Sequence, residues 1–194
     1  MKKSFKILLI LIFIFIIVFL INFVRNYSIL NSLFSYNEDF STYSFEEIIK
    51  TNNITYKNCV YFQNNIYYIK VFENDEHIYD IWIDNINNEY ILQTIKDNKI
   101  TKEEYNDFYT KKYKSIYLNS HDFTVLKLIT ENYLFRPILE NNNEYILTIY
   151  DNESTIWINK ENKMIFKIIS NNTEINYSFN NKLPENIEMH IPQI

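Results

Sequence analysis

The pattern of hydrophobic and polar positions divides the chain into two parts. Residues 7–21 are all apolar, and with Asn22 as the one interruption the apolar run reaches Val24. A helix of these eighteen residues spans about 27 Å, close to the roughly 30 Å hydrocarbon core of a bilayer. The run therefore predicts a membrane-spanning helix at the amino terminus.

The charges on either side of this run predict its orientation. Lys2, Lys3 and Lys6 precede it, whereas Arg25 is the one basic residue directly after it. Because basic residues stay on the cytoplasmic side, we predict residues 1–25 to be a cytoplasmic tip and a transmembrane signal anchor in the cell membrane. The rest of the chain is then extracytoplasmic, with all 24 acidic and 15 of the 19 basic residues and a net charge of −9.

A cleaved signal peptide is the alternative interpretation of the same segment. The apolar region of a signal peptide usually has about 7–15 residues, and its cleavage site is of the Ala-x-Ala type. This run is longer, and the chain contains no alanine. We therefore favour an uncleaved anchor, with cleavage near Ser32 or Ser35 as the other possibility.

The remaining chain is divided into a connection and one domain. Residues 26–43 are predicted as a juxtamembrane helix or linker, and residues 44–194 as the extracytoplasmic domain. Ser44 and Glu47 have the spacing of a capping box, and two isoleucines follow them. This pattern predicts a short helix over residues 45–51.

Beyond this point the hydrophobic period changes to two, which is typical of half-buried strands. The predicted strands are residues 60–62, 66–72, 78–84, 89–96, 144–150, 154–159, 164–170, 174–180 and a short last one at 187–191. Asn-containing pairs such as Asn64-Asn65 and Asn171-Asn172 separate them and predict hairpin turns. The pattern is therefore that of an antiparallel sheet.

One helix is predicted between the two groups of strands. Ser120 is its expected cap, and Pro137 ends it because the residue before a proline avoids the helical region. Phe123, Leu126, Thr130 and Tyr133 recur at helical spacing, and the stripe is broadened by Leu128, Ile129 and Leu134. Residues 101–114 fit either a capped helix or tyrosine-rich strands, and both alternatives stay open.

The composition changes this picture by excluding whole classes of chemistry. The chain has no glycine and no alanine, but 29 asparagines, a bias typical of AT-rich codons. Phosphate-binding loops, dinucleotide-binding turns and the nucleophile elbow of α/β-hydrolases all need glycine. The same absence predicts that asparagine occupies the turn positions with positive φ.

Candidate chemistry is sparse, and we predict no enzyme activity, no cofactor and no metal site. The acidic domain also argues against nucleic-acid binding. His77 lies in an acidic turn and is predicted to be solvated, His121 follows a helix cap, and His190 is expected to face water. Cys59 lies in an apolar stretch and is predicted to be a core thiol. Glu103, Glu104 and Asp107 are interpreted as a solvated face.

Two similar hairpins contain the candidate ligand-binding residues. Trp82 and Trp157 stand in the matching stretches Ile-Trp-Ile-Asp and Ile-Trp-Ile-Asn. Either the biased composition alone produces this similarity of the two stretches, or both indoles lie on one concave sheet face. In the second case they would form an apolar site together with Tyr68 and Phe166.

The order of these elements resembles the LolA-like envelope proteins of bacteria. The stretch from Ser154 to Asn162 resembles a strand and turn of that family, and the stretch from Tyr177 through Pro192 resembles its ending. The opening from Asn26 to Leu33 resembles clostridial proteins related to the germination protein GerS. The chain departs from the lipoprotein members because it lacks their lipobox cysteine.

The resemblance implies an α+β fold. An amino-terminal transmembrane helix would precede a LolA-like antiparallel half-barrel sheet with one or two helices packed on its concave face. It also implies a non-enzymatic binding module of a Gram-positive envelope, with an envelope protein such as a cell-wall amidase as partner in sporulation or germination. The alternatives are a carrier or sensor of an apolar ligand such as lipid and, as a third, an envelope hydrolase.

Overall fold

The computed structural model describes residues 2–35, 42–114, 116, 124–149, 153–180 and 192. Helix α1 (Lys2–Phe34) opens the chain. Six strands follow: β1 (Thr42–Lys50), β2 (Thr55–Gln63), β3 (Ile66–Glu73), β4 (Glu76–Asp84), β5 (Glu89–Thr94) and β6 (Lys99–Glu103). Helices α2 (Phe108–Lys114) and α3 (Val125–Leu128) come next, and α3 continues into a π-helical turn (Ile129–Tyr133). The last strands are β7 (Leu139–Glu140), β8 (Glu144–Ile149), β9 (Ser154–Asn159), β10 (Ile165–Ser170) and β11 (Thr173–Asn180).

Within these ranges the eleven strands form one open antiparallel sheet in the order β6-β5-β4-β3-β2-β1-β11-β10-β9-β8-β7. Each half is a meander of neighbouring hairpins, and the two halves meet where β1 pairs with β11, with Phe45 opposite Phe179. The α+β class, the amino-terminal apolar helix and the antiparallel sheet are thus confirmed. The predicted strand at 187–191 lies outside the described residues.

Asparagine takes the place of glycine in the hairpin turns, as the composition predicts. Asn64 and Asn65, which join β2 to β3, have φ of 51° and 66°, and Asn171 between β10 and β11 has φ of 48°. These values lie in the left-handed region, where asparagine is tolerated better than most residues. The turns therefore form without a single glycine.

One face of the sheet is covered by helices. The carboxyl-terminal turns of α1, together with α3 and its π-helical turn, pack on β8, β9 and β10, where Leu30, Ile129 and Ile158 are fully buried. Helix α2 packs on β1–β5, where Tyr113 lies against Phe45. Two adjacent apolar clusters therefore share this face.

The prediction of a short helix over residues 45–51 is wrong, because residues 45–50 belong to strand β1. The capping-box spacing between Ser44 and Glu47 is not used, since pairing with β2 on one side and β11 on the other satisfies the backbone. In the strand, Phe45 and Glu47 point to the helix-covered face and are buried. Pairing within the sheet outweighs a local signal worth about 1 kcal/mol.

The central helical segment differs in detail from its prediction. Residues 101–114 split into the end of β6 and helix α2. Ser120 and Phe123 lie outside the described residues, and the side chain of Thr124 accepts a hydrogen bond from the N–H of Lys127 as the cap of α3. Leu126 is 60% exposed, and of the predicted stripe Leu128, Ile129 and Tyr133 are buried.

Helix α1 has two halves of opposite environment. Phe5–Phe34 is long and apolar enough to cross a membrane, with a mean hydropathy of 3.5 in its most apolar window and none of that window buried. By composition alone it also fits a signal sequence. The other half, by contrast, contributes Ile29, Leu30 and Leu33 to the core. The division of the chain at residues 25 and 43 stays a prediction, although residues 29–33 already pack as part of the domain.

Candidate functional site

The junction between α1 and the domain is fixed by one buried asparagine. The side chain of Asn26 is fully buried. Its Nδ2 donates to the backbone carbonyls of Tyr133 at 3.0 Å and Arg136 at 2.8 Å. Its Oδ1 accepts from the N–H of Ile138 at 3.0 Å. Three hydrogen bonds thus join α1 to the segment between the π-helical turn and β7.

Arg25 extends this connection to the surface. Its guanidinium donates to the carbonyl of Ile138 at 3.0 Å and to Oε1 of Glu140 at 2.6 Å. The ammonium of Lys160 lies 3.2 Å from the other carboxylate oxygen of Glu140. Hydrogen bonds from Arg25 and Lys160 lower the pKa of Glu140. Arg25 and Asn26 therefore hold the same short segment from two sides.

Sequence analysis did not assign a role to Asn26. The available signal was a polar residue beside Arg25 at the end of the apolar run. Its partners lie 107–112 residues away, so they could not be read from local spacing. The helix and the domain are joined here by buried hydrogen bonds.

The two tryptophans share one face of the sheet, but it is the face opposite the helices. Trp157 alternates with Ile156 and Ile158, and Trp82 alternates with Ile81 and Ile83. These four isoleucines belong to the helix-covered clusters, so the two tryptophans point to the other side. The interpretation that placed both indoles on the face bearing the helices is therefore corrected. Six strand spacings separate β4 from β9, or about 29 Å along the sheet, so the two indoles belong to different halves of it.

Trp82 and Tyr68 lie side by side in a small buried cluster. Their ring centroids are 5.1 Å apart in a stacked arrangement, and Trp82 is 3% and Tyr68 5% exposed. Tyr61 stacks on Tyr68 at 5.8 Å. Burial, followed by the nearby Asp80 carboxylate, raises the pKa of Tyr68. The structure thus brings these two predicted residues together as packed side chains.

Phe166 and Trp157 lie at the other half of the sheet. Phe166 is half-buried at a β-bulge, where the pairing of β10 with β9 shifts between Ile165 and Lys167. The bulge lets both Ile165 and Ile168 reach the helix-covered face. Of the four predicted ligand-binding residues, Trp82 and Tyr68 stack on each other, and the ligand-binding role of the set stays a prediction.

Trp157 belongs to a row of half-exposed side chains across six strands. Register pairs connect the members from β8 to β2. We call this surface the Trp157 row, and its members are Ile146, Trp157, Lys167, Asn176, Ile48 and Lys57. The Lys167 ammonium lies 5.5 Å from the centroid of the Trp157 ring and 3.0 Å from the Glu174 carboxylate. An aromatic ring among polar side chains is typical of protein-binding surfaces.

A buried carboxylate fastens α2 to the sheet. Glu47 on β1 is fully buried, and its Oε2 accepts from Nδ2 of Asn58 at 2.7 Å and from the Lys112 ammonium of α2 at 2.9 Å. Burial first, and then the Glu47 carboxylate, raises the pKa of Tyr113 and of Tyr177. The arrangement is that of an internal ion pair.

The other titratable candidates are held by structural contacts. His77 was predicted to be solvated, but its Nε2 lies 2.8 Å from Asp80 and its ring stacks on Phe72 at 4.8 Å. Burial raises the pKa of the half-buried Cys59 thiol, which disfavours the reactive thiolate. Among the described residues no group of three or more His, Cys, Asp or Glu side chains is placed to hold a metal ion.

Two cavities lie at the surface beside the junction. One of about 700 Å³ is lined by polar residues of the β7–β8 turn and Lys160. The other, of about 340 Å³, is lined by residues of the segment from Thr130 to Arg136. Neither lies between the helices and the sheet. A comparison of the sequence with protein-family models and with curated proteins finds no match.

Proposed function

We propose that this protein is a membrane-anchored, extracytoplasmic and non-enzymatic interaction module. One observation carries the proposal: α1 exposes an apolar half long enough to span a bilayer, and its other half is built into the core of the domain. Exposed apolar surface of this extent needs a lipid or protein environment. A sheet held on such a helix is suited to binding a partner close to the membrane.

The packing of α1 supports a retained anchor over a cleaved signal peptide. Cleavage near Ser32 or Ser35 would remove Ile29 and Leu30 from the core, and Leu33 as well in the second case. Burial of each such side chain contributes about 1.5–3 kcal/mol. The loss would be roughly 3–6 kcal/mol for cleavage near Ser32 and roughly 5–9 kcal/mol for cleavage near Ser35, comparable with the about 5–15 kcal/mol by which a whole domain is stable.

The proposed orientation has a direct test with single-cysteine chains. In a Cys59→Ser background, Asn87→Cys places a thiol on an exposed turn of the domain, and Ser4→Cys places one at the amino terminus. We expect a membrane-impermeant maleimide to label Asn87→Cys in intact cells and Ser4→Cys only after lysis. The opposite pattern would refute the orientation, and loss of the protein from the membrane fraction would refute the anchor.

We further propose that the partner is an envelope protein, in the manner of GerS and a cell-wall amidase, and that it contacts the Trp157 row. Trp157→Ala is expected to weaken binding of the purified amidase at least about tenfold, since a central tryptophan is worth more than roughly 1.4 kcal/mol. Tyr79→Ala is the control, because Tyr79 is also an exposed aromatic residue but lies outside this row. No binding by the unmutated chain, or equal binding by all three, would contradict the proposal.

The packing of the helices argues against the lipid-carrier alternative. In a half-barrel carrier the ligand lies between helices and sheet, where this chain places Leu30, Ile129 and Tyr113 as fully buried side chains. We expect native mass spectrometry of the full chain, released from detergent, to give the mass of the protein alone. Lipid retained in fixed stoichiometry would favour the carrier.

A further inference from the structure

The segment between the π-helical turn and β7, residues 134–138, carries an exposed aromatic ring beside the apolar half of α1. Phe135 is 68% exposed. Its ring lies 5.5 Å from the ring of Phe19, which is itself inside the apolar run of α1. Phe135 therefore extends the exposed apolar surface of α1.

The position of Phe19 gives the depth of this contact. Phe19 precedes Arg25 by six residues, which is about 9 Å along the helix axis. If Arg25 and its partner Glu140 mark the outer boundary of the hydrocarbon, Phe135 lies within the outer leaflet. The exposed ring and the apolar half of α1 then form one continuous apolar surface.

The backbone of this segment is prepared for a site with little water. Asn26 accepts from the N–H of Ile138 and donates to the carbonyl of Arg136, and Arg25 donates to the carbonyl of Ile138. Pro137 has no N–H to satisfy. Non-helical backbone is tolerated at membrane depth only when protein groups satisfy it, and α1 supplies such groups to Arg136 and Ile138.

We propose that residues 134–138 are a second membrane contact, with Phe135 inserted in the outer leaflet next to α1. The occupant of this apolar surface is lipid hydrocarbon, because the surface is continuous with the apolar half of the helix. Arg136 has a stem long enough to keep its guanidinium at headgroup level. The inference rests on the proposed membrane anchor, and it adds that the domain touches the bilayer at a fixed point.

The test uses spin labels on the full chain in phosphatidylcholine–phosphatidylglycerol vesicles. In a Cys59→Ser background, labels are placed at Phe135→Cys, at Ile14→Cys in the middle of the apolar run, and at Phe108→Cys. Phe108 is the matched control, since it is 62% exposed but belongs to α2. Collision with oxygen reports lipid, and collision with a water-soluble nickel chelate reports solvent.

We expect the Phe135 label to resemble the Ile14 label, with high oxygen and low nickel accessibility, and the Phe108 label to show the reverse. If the Ile14 label is in lipid and the Phe135 label is in water, the second contact is refuted while the anchor stands. If both are in water, the anchor itself fails. Low accessibility of the Phe135 label to both agents would mean that protein, such as a second copy, covers it, and would also overturn the proposal.

A conservative second variant guards against a label that disturbs the fold. Phe135→Trp keeps an aromatic ring, and Trp82 and Trp157 of the unmutated chain give the background fluorescence. Lipids brominated in the acyl chain should quench the added tryptophan and leave that background unchanged. Absence of additional quenching would refute the insertion of residue 135.

Discussion

The connection of α1 to the domain through Asn26 makes a quantitative prediction. Asn26→Leu keeps the branched shape of the side chain but removes three hydrogen bonds, to Tyr133, Arg136 and Ile138. Each is worth about 1 kcal/mol net, and a buried partner left unsatisfied costs about 1–3 kcal/mol. Because the site is fully buried, we expect the free energy of unfolding to fall by about 3–5 kcal/mol.

The assay is urea unfolding of the full chain in a mild detergent, followed by tryptophan fluorescence. The buried Trp82 becomes exposed on unfolding, so its emission reports the domain. With a slope of roughly 2 kcal/mol per M urea, the midpoint should fall by about 2 M. Asn31→Leu is the control, since Asn31 lies on the same helix with an exposed side chain and should shift the midpoint by less than about 0.3 M. Equal midpoints for the two variants would refute the stabilising role of the Asn26 hydrogen bonds.

The remaining predictions concern the sheet and its turns. Lys112→Met removes the cation beside the buried Glu47 and should lower the free energy of unfolding by about 3 kcal/mol. Lys111→Met, at an exposed ion pair, should lower it by less than about 1 kcal/mol, and equal effects of the two variants in thermal unfolding would contradict this. Burial raises the folded-state pKa of Tyr113 above the ordinary value of 10.0. Stability should therefore be unaffected by this group below pH 10 and should fall above it, because the tyrosine of the unfolded chain ionises first. The measurement is alkaline unfolding followed together with tyrosinate absorbance, and unfolding that follows the ionisation of exposed tyrosines alone would contradict this. Asn171→Val at φ of 48° should destabilise the chain by about 1–2 kcal/mol and Asn171→Gly should not, as measured by urea midpoints; a destabilising glycine would sink the account of the turns.

The hairpins were predictable because their signals are local. A strand with one buried face alternates every second residue, and the turn between two strands needs positive φ at one or two positions. In a chain without glycine, asparagines such as Asn64 and Asn65 meet that need at most such positions, with Asp75, Glu153 and Lys163 at the others described. Eight of the described strands were therefore foreseen, with β6 left as one of two alternatives.

The missed features depend on contacts that are distant in sequence. The segment of Ser44 and Glu47 has the local pattern of a helix start, but β11 pairs with it from 130 or more residues away. A long-range partner of this kind outweighs a cap worth about 1 kcal/mol. Asn26 is the same case, since its function is defined by carbonyls more than 100 residues further along.

The faces of the sheet could be predicted only in part. Alternation within β4 and β9 places Trp82 and Trp157 on the side opposite their isoleucine neighbours. It does not say which side the helices cover, because both sides carry aromatic residues in this half of the sheet. That choice follows from where α1 and α2 pack, and it moves the candidate binding surface from the helix-covered side to the other.

The packing of α1 determines how a partner can approach. The helix is at once the proposed anchor and part of the core, so the sheet cannot rotate freely relative to the membrane. Because the helix-covered face is occupied, the proposed partner would approach the Trp157 row from the opposite side. A flexible tether would search a wide volume at low effective concentration, whereas this connection presents one surface at a fixed height. Insertion of a flexible Gly-Ser segment after Val24 should therefore leave the fold intact but weaken partner binding at the membrane, and unchanged binding would show that the fixed height has no function.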